Sequence, residues 1–593
     1  MLLTSGVLAA TPAGAATHHA GKVPVATGSG GAVASADLNA SRAGISVLRH
    51  GGNAIDAAVA TASTLGVTEP FVAGPGGGGY MVIYLAKQHR VVTIDGREMC
   101  PAKCSPKLFL NRNGKPLPFE NARRSGLSVG VPGMVATWAK AVQKFGRHSL
   151  ADDLSPAISR AKRGFVVDKN FHQQEQASLP DLQSFTSSRK LFLTKAGEPL
   201  PIGARLKNPD LARTYAQLAS RGPSYLYGGA LGAEIAKTVQ HPPVSGSSTL
   251  RIRHGIMTKR DLANYVAKAQ RPTHVRYRGL DVYGMAPSSS GGITVGEALN
   301  ILSRWKLSGQ SRARALFEYL EASRLAFADR SAYIGDKSYN NVPQHALLDK
   351  KYAATRSCLI KSTALTSPVA PGNPYQPYGG CGTSAPAGTP DNEGTHTNHI
   401  VVADKWGNVV SYTNTIEQIA GSGITVPGRG FLLNNEMTDF DFAPATPGAY
   451  DPNIAAPGKR PRSSMSPTIV LKHGRFDFAI GSPGGSTIIT TVLQVLINHV
   501  DFGMSLPQAI WAPRASQRNA AATDAEKAFA NSAVGKAVQS KYGESYNVLK
   551  GPRLLRFIGN ATGIQALGHG RYQAAAEKVR EGGGSALVVH PSG

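Results

Sequence analysis

The sequence predicts a layered α/β protein with stacked antiparallel sheets. Three observations lead there. First, "HIVVAD" and "VVSYTNT" flank the turn "KWGN", and "PTIVLKHGRFDFAI" turns at His473-Gly474, so both segments have hairpin form. Second, "RARALFEYLEASRLAFADR" carries helical periodicity, with Leu316, Leu320 and Phe327 on one face. Third, the chain runs helices, strands, helices, a flexible loop, strands and helices, an order that suits layers packed around a common core.

Taken in order, residues 1–30 have the character of a secretory leader and disordered N-terminus. A short apolar segment precedes Ala13-Gly14-Ala15, which resembles a cleavage site, although no basic n-region comes before it. Export to the medium or the cell envelope is the expectation. "SADLNASRAGISVLRHGGNAIDAAVATASTLGV" gives two helices in series. Gly51-Gly52 ends the first, and Asn53 with Asp56 caps the second, whose apolar surface on nearly all sides predicts burial. "GPGGGGYMVIYL" (74–85) invites a phosphate-loop reading, but it leads from helix to strand and lacks Gly-Lys-Ser/Thr. A tight backbone crossing is the better account. "VVTIDGREMCPAK" is a strand that delivers Asp95, Arg97 and Glu98 to its end. Residues 130–345 read as mostly helical, without internal repeat. Residues 362–394 form a long Pro/Gly-rich loop, of the kind that is usually functional or disordered. Strands begin at 397, and "TIITTVLQVLINHV" is an apolar helix after "GSPGGS" (481–486).

Length alone would suggest about four domains. Hydrophobic residues make up 41% and charged residues 17%, which excludes global disorder. The net charge of +27 comes from scattered Lys and Arg without a run of five or a nucleic-acid motif. It therefore points to solubility or envelope adhesion rather than nucleic acid. No run of 18 apolar residues exists, so no membrane span is expected. Cys358 and Cys381 flank a flexible stretch and are the better disulfide candidates, while Cys100 and Cys104 close too short a loop for much stabilisation. Cys-x3-Cys without a paired His is no basis for a zinc site.

Thr397 stands where the loose segment turns into strand. A Thr hydroxyl needs an adjacent base to act as a nucleophile. As an N-terminal residue it would carry its own base, an α-amine with a pKa near 7.7–8.0. The precursor could produce that terminus itself, the hydroxyl attacking the preceding carbonyl to give an ester that water hydrolyses. A pliable loop before the bond and a strand after it suit such a cut. On the residues alone, an ordinary structural Thr at a strand start is the better account.

The run "THTNHIVVADKWGNVVSYTNTIEQIAGSGI", followed by "GFLLNNEMTDFDF", "GKRPRSSMSPTIV" and "GSPGGS", resembles the γ-glutamyltranspeptidases. These are N-terminal nucleophile hydrolases with a four-layer αββα fold. "GGNAIDAAVA", "GPGGGGYM", "DGREMCPAK" and "ATGIQALGHGRYQAAAE" extend the resemblance over residues 35–590 in the family order. It implies a self-processing enzyme in which Thr397 is the nucleophile. The cut falls between His396 and Thr397, giving a large subunit 31–396 that ends in a flexible loop (362–396) and a small catalytic subunit 397–593. Thr395 is a rival nucleophile two residues too early for the register. Thr415 matches a second Thr whose hydroxyl bonds the nucleophile, and Gly484 and Gly485 match an oxyanion hole. Arg97 would grip the donor α-carboxylate, assisted by Ser463 and Ser464. Glu436 and Asp439 would bind the α-ammonium. The implied substrates are glutathione and other γ-glutamyl amides, with water, amino acids or dipeptides as acceptors, and no cofactor takes part.

Three departures from the family stand out. Asn398 replaces a commoner Thr. Glu417 stands at an amine-binding position where well-known members have Asn, so three carboxylates would surround one ammonium; the consequence would be tighter α-amine recognition, a pKa raised in one of them by like-charge repulsion, or an altered choice of donor. The segment between Asp439 and Ser463, matching the family's lid, is a few residues short, with Tyr450 as a gate candidate and larger donors as a consequence. Rival functions are a same-fold acylase acting on glutaryl-cephalosporin or poly-γ-glutamate, an unprocessed γ-glutamyl-binding protein, and a basic adhesion protein. Glutaryl groups have no α-ammonium for the acidic residues, and a binder needs neither nucleophile nor oxyanion hole.

Overall fold

The computed structural model describes residues 21–378, 380–381, 393–394, 396–552 and 556–592. Ala13-Gly14-Ala15 and Thr395 lie outside them. Among the described residues the main sheet has 13 strands. In chain order these are β1 (Val25–Ser35), β2 (Gly78–Leu85), β3 (Arg90–Gly96), β4 (Lys268–Gln270), β5 (Thr273–Tyr277), β6 (Leu280–Gly284), β7 (Asn398–Asp404), β8 (Val409–Thr415), β9 (Thr468–Lys472), β10 (Arg475–Gly481), β11 (Thr562–Gly568), β12 (Arg571–Ala576) and β13 (Ser585–Pro591). The spatial order is β4-β3-β2-β8-β7-β1-β12-β11-β10-β9-β6-β5, with β13 also on β1. Strand β1 is the seam. Its first half, Val25–Ser29, pairs with β12 and its second, Gly31–Ala34, with β7. The expected leader boundary at residue 30 therefore falls inside a strand: residues 25–29 have ladder partners and belong to the fold.

Both expected hairpins are present as β7–β8 and β9–β10. The stretch read as mostly helical also contains the hairpin β5–β6, which turns on Arg278-Gly279 with φ of +50° and +82°. His473-Gly474 makes the same turn, with φ of +52° and +73°. Two consecutive left-handed residues match the twist of the flanking strands, and glycine takes the second position without steric cost.

Five helices bear on the site: α1 (Leu38–Arg49), α2 (Ala54–Thr68), α3 (Gly291–Leu302), α4 (Arg312–Tyr333) and α5 (Thr487–Val500). The expected cap of α2 is a reciprocal box. The Asn53 side chain accepts from the Ile55 and Asp56 amides, and Asp56 accepts from the Asn53 amide at 2.8 Å. Alternating strand residues divide between two cores. Met81, Ile83, Ile400 and Val402 pack with α1, α2 and the helices Met134–Phe145, Leu150–Arg163 and Pro209–Arg221. Tyr80, Val82, Val401 and Ala403 face Val282, Val470, Phe478 and Ile564 of the other strands, in a core that also holds α3, α4 and α5. Helices thus flank stacked sheet on both sides. Helix α4 forms where the stripe of Leu316, Leu320 and Phe327 places a helix, and residues 315–330 are buried on every face.

Cys358 and Cys381 are bonded, and so are Cys100 and Cys104. The second bridge was discounted from sequence because its loop is short. A turn in which the Cys104 amide donates to the Pro101 carbonyl at 2.9 Å brings the two sulfurs together. No described helix is long and apolar enough to cross a membrane.

Candidate active site

Thr397 immediately precedes β7, and the β7–β8 ladder sets Asn398 opposite Asn414. That register carries Thr397 beside Thr415, the last residue of β8, which pairs on its other side with Gly78 of β2. The Thr397 hydroxyl donates to Thr415 Oγ1 at 3.2 Å, and Thr415 Oγ1 donates to the His396 carbonyl oxygen at 3.2 Å. The Glu417 amide donates to Thr415 Oγ1 at 2.8 Å and fixes it. A hydroxyl chain therefore runs from the side chain of Thr397 to the carbonyl of the peptide bond before it. Glu417 takes φ of +84°, a conformation that non-glycine residues hold only where the surroundings impose it.

The pocket at these hydroxyls is lined by Thr397, Thr415 and Glu417 together with Arg97, Glu436, Asp439, Ser463 and Gly485. Its free volume is only about 10 Å³, and Glu393 and Gly394 are among the residues that line it. The Gly394 amide donates to Glu417 Oε1. A Cβ on Gly485 would collide with the Gly394 carbonyl, so glycine is required there as long as the tail is in place. Gly484 and Gly485 have φ of +131° and +53° and precede α5. Gly484 and Ser464 do not line the free space but adjoin it in sequence.

Arg97, 1% exposed, enters from the end of β3. Its guanidinium donates to Glu436 and Asp439, and also to the carbonyl oxygens of Pro461 at 3.2 Å and Arg462 at 2.9 Å. Expected to hold a donor carboxylate, Arg97 here holds the two residues expected to hold the ammonium. Burial disfavours its charge, but Asp439, Tyr80 and Glu98 more than offset this and raise its pKa. One cation between two carboxylates leaves the group net negative, which suits an ammonium ligand. Asp95, two residues earlier in the chain, accepts from the Arg97 amide at 2.9 Å and pairs with Arg460 at 2.5 Å.

Glu417 is pushed up to about 7, chiefly by burial, against hydrogen bonds from Asn435 and Gly394 that favour its ionised form. The expected elevation is present, but desolvation rather than like-charge repulsion is its main cause. Burial likewise raises Glu98 to about 8 and lowers the His396 imidazole to about 4, so His396 is neutral at ordinary pH.

Tyr450 is 72% exposed and donates to Asn340 at 2.9 Å; it is not among the pocket-lining residues. Two groups at the site were not anticipated from sequence. Glu393 accepts from the Ser464 amide at 2.9 Å and from Arg330 of α4 at 2.6 Å. Arg330, fully buried, also donates to Ser464 Oγ at 2.8 Å and Ser290 Oγ at 2.7 Å. Neither carries a motif signal in the sequence: Glu393 lies in a Pro/Gly-rich stretch, and Arg330 ends a helical stripe whose burial on all sides shows only in the fold. No cluster of three potential metal ligands occurs among the described residues.

A profile of the family described as Gamma-glutamyltranspeptidase matches residues 40–587. The glutathione hydrolase proenzyme of Bacillus subtilis (strain 168) is 40% identical over 497 residues, covering 83% of this chain and 81% of that protein. The glutathione hydrolase proenzyme of Escherichia coli (strain K12) is 38% identical over 500 residues, covering 82% and 80%. Among solved structures, cephalosporin acylase from Bacillus halodurans superposes with a TM-score of 0.82 at 25% identity, covering 98% of this chain and 99% of that one.

Proposed function

The chain belongs to the gamma-glutamyltranspeptidase family, and we propose that it cuts itself between His396 and Thr397 and then transfers γ-glutamyl groups through an ester on Thr397. It is a self-processing enzyme of the glutathione hydrolase type. The observation that carries the reading is the hydroxyl chain from Thr397 through Thr415 to the His396 carbonyl. In maturation Thr397 Oγ1 attacks that carbonyl carbon and gives up its proton toward Thr415, while the Thr415 hydrogen bond stabilises the negative oxygen. Collapse breaks the C–N bond as the proton given up toward Thr415 is handed on to the leaving nitrogen, moves the acyl group onto Oγ1 and frees the α-amine. Water then hydrolyses the ester, leaving residues up to 396 as a large subunit and 397–593 as a small one.

In the mature enzyme the α-amine takes the Thr397 proton as Oγ1 attacks the γ-carbonyl of the donor. Amides of Gly484 and Gly485 hold the oxyanion, a contribution of roughly 3–4 kcal/mol for such a donor. The amine leaves with the proton returned by the α-ammonium, cysteinylglycine being the product from glutathione. Water resolves the ester to glutamate, and an amino acid or dipeptide resolves it to a new γ-glutamyl amide. Glu436, Asp439 and Glu417 bind the donor ammonium, and Arg97, Ser463 and Ser464 its carboxylate side. Two disulfides suit an oxidising compartment and with it a secreted or envelope location.

The likeness to a cephalosporin acylase keeps one alternative in view, a glutaryl donor. The acidic side of the pocket argues against it, because a glutaryl group would leave those carboxylates without a cation. Intact mass decides the first step: wild type should yield two fragments with Thr397 at a new N-terminus, and Thr397→Ala one uncut, inactive chain. A wild type that folds but stays whole would remove the catalytic base from the scheme. Rates on γ-glutamyl and glutaryl anilides decide the second step, with the γ-glutamyl donor expected to be the faster.

A further inference from the structure

We propose that the cavity at the start of α1 is a second binding site and that its ligand is a multivalent phosphate. The cavity shares no lining residue with the Thr397 pocket and stands apart from the γ-glutamyl chemistry.

The cavity holds about 560 Å³ and is lined by five cations, Lys22, Arg42, Arg160, Lys169 and Arg205. They come from five places in the chain: the segment before β1, helix α1, the last turn of helix Leu150–Arg163, the start of helix Lys169–Ala177 and the short strand Arg205–Leu206. Asp37 and Asp168 are the acids of the wall, so the cations exceed the carboxylates by three. Both acids are already engaged as helix caps. Asp37 accepts from the Ala40 amide at 3.0 Å and the Thr68 hydroxyl at 2.9 Å, and Asp168 from the Phe171 amide at 2.8 Å. Among the described residues none of the five cations makes an ion pair, and the side chains of Arg42, Lys169 and Arg205 make no hydrogen bond. Lys22 donates to the Ala36 and Gly583 carbonyl oxygens, both at 3.1 Å, which holds its ammonium in place. Burial lowers the pKa of Arg160, and Arg163, Arg42 and Arg205 lower it further against the attraction of Asp37. Glu69, close enough to interact with Lys22, is pushed up to about 8 by burial and is largely neutral at pH 7, so it supplies no counter-charge. Like charges are gathered around one hollow without the partners that a purely structural cluster would contain. Buried Phe165 and Val167 form part of the wall, and such low-dielectric surroundings focus the positive field inward. A planar carboxylate takes one fork edge-on, whereas a phosphate presents its oxygens in several directions at once. Cations that converge from five segments suit the second shape, and the volume admits a di- or triphosphate.

Calorimetry of the wild-type protein with sodium tripolyphosphate at physiological ionic strength should show one site per chain. Arg42→Ala/Arg205→Ala, which removes two exposed side chains of the wall, should weaken that binding at least tenfold. Lys536→Ala/Lys541→Ala, which removes the same charge from the exposed side of helix Ala533–Tyr542, should change it less than twofold. Turnover of a γ-glutamyl anilide should match wild type in both variants, which checks their fold. Equal losses in the two variants, or no loss in either, would mean general attraction to a basic surface and overturn the site. Absence of binding in the wild type overturns it as well. Citrate, a multivalent anion built of carboxylates, should bind at least tenfold more weakly than tripolyphosphate; equal affinity overturns the assignment to phosphate. Long-chain polyphosphate separates the two sources of such groups. If it binds more tightly than tripolyphosphate and the arginine pair abolishes the gain, the ligand is a phosphate polymer. If it binds no more tightly, the ligand is a free oligophosphate, and either result retains the site.

Discussion

Helices α2 and α4 belong to opposite cores, and both are buried along most of their length, yet they are built from opposite materials. Helix α2 is alanine-rich, and its first turn is closed by the Asn53–Asp56 box. Helix α4 carries Glu318, Glu321, Arg324, Asp329 and Arg330 through its buried stretch. Each of these charges meets a partner from elsewhere in the chain or from its own helix. Arg324 bonds Glu321 and Glu544, both at 2.8 Å; Asp329 accepts from the Tyr352 hydroxyl at 2.8 Å and pairs with Arg356 at 3.0 Å; Arg330 reaches the pocket. Helix α2 fills space, whereas α4 sets directions. A buried ion pair adds little net stability, because desolvation cancels most of the attraction, but it admits only one arrangement of its partners.

That difference can be broken deliberately. The largest effect is expected at Arg356→Leu, which leaves the Asp329 charge buried beside Glu297, a carboxyl already raised well above its usual range by burial and by Asp329. Urea unfolding should show a loss of about 3–5 kcal/mol; less than about 1 kcal/mol would mean that the pairing on the α4 side is dispensable. Packing is the limit on the other side. A Cβ on Gly44 of α1 would collide with the Thr61 hydroxyl of α2, so Gly44→Ala should cost about 1–3 kcal/mol by the same measurement. A neutral result there would show that the α1–α2 contact yields easily.

The smallest effect concerns pH. Glu417, at about 7, is neutral below that pH and charged above it. Donor KM should therefore fall as pH rises from 6 to 8, and Glu417→Gln should flatten that step by a few-fold while leaving maturation intact. An unchanged KM profile in the variant would remove Glu417 from ammonium binding. For stability the sign is opposite. The folded value lies above the ordinary 4.5, so the folded state holds a proton that the unfolded chain releases. This contribution is full below about 4.5 and is lost as pH climbs to about 7.

The same contrast explains what could be read from sequence. Helix α2 was legible because caps, composition and burial all say one thing. Helix α4 was legible as a helix but not as a fully buried one, since periodicity records residue type and not the partner that arrives from 20 or 200 positions away. The hairpin β5–β6 was missed although Arg278-Gly279 is the same turn signal that disclosed His473-Gly474. Motif register brought Arg97, Thr397, Thr415, Glu417, Glu436, Asp439 and Ser463 to one short list, and all seven line one pocket. Glu393 and Arg330 had no such register: one lies in a Pro/Gly-rich loop and the other ends a helical stripe, and only folding sets them 2.6 Å apart.

Strand order has a consequence for the cut chain as a material object. The β7–β8 hairpin, which begins just after Thr397, is clamped between β2 and β1, and β12 and β13 grip the other half and length of β1. Strands from before and after residue 396 are interleaved like shuffled cards. Severing one peptide bond at the margin of such a weave frees an end without freeing a piece. Dilution should not separate the fragments, and halves synthesised apart would each lack neighbours needed to complete their own sheet. A chain that is to be cut there would have to be made whole and fold before it is cut.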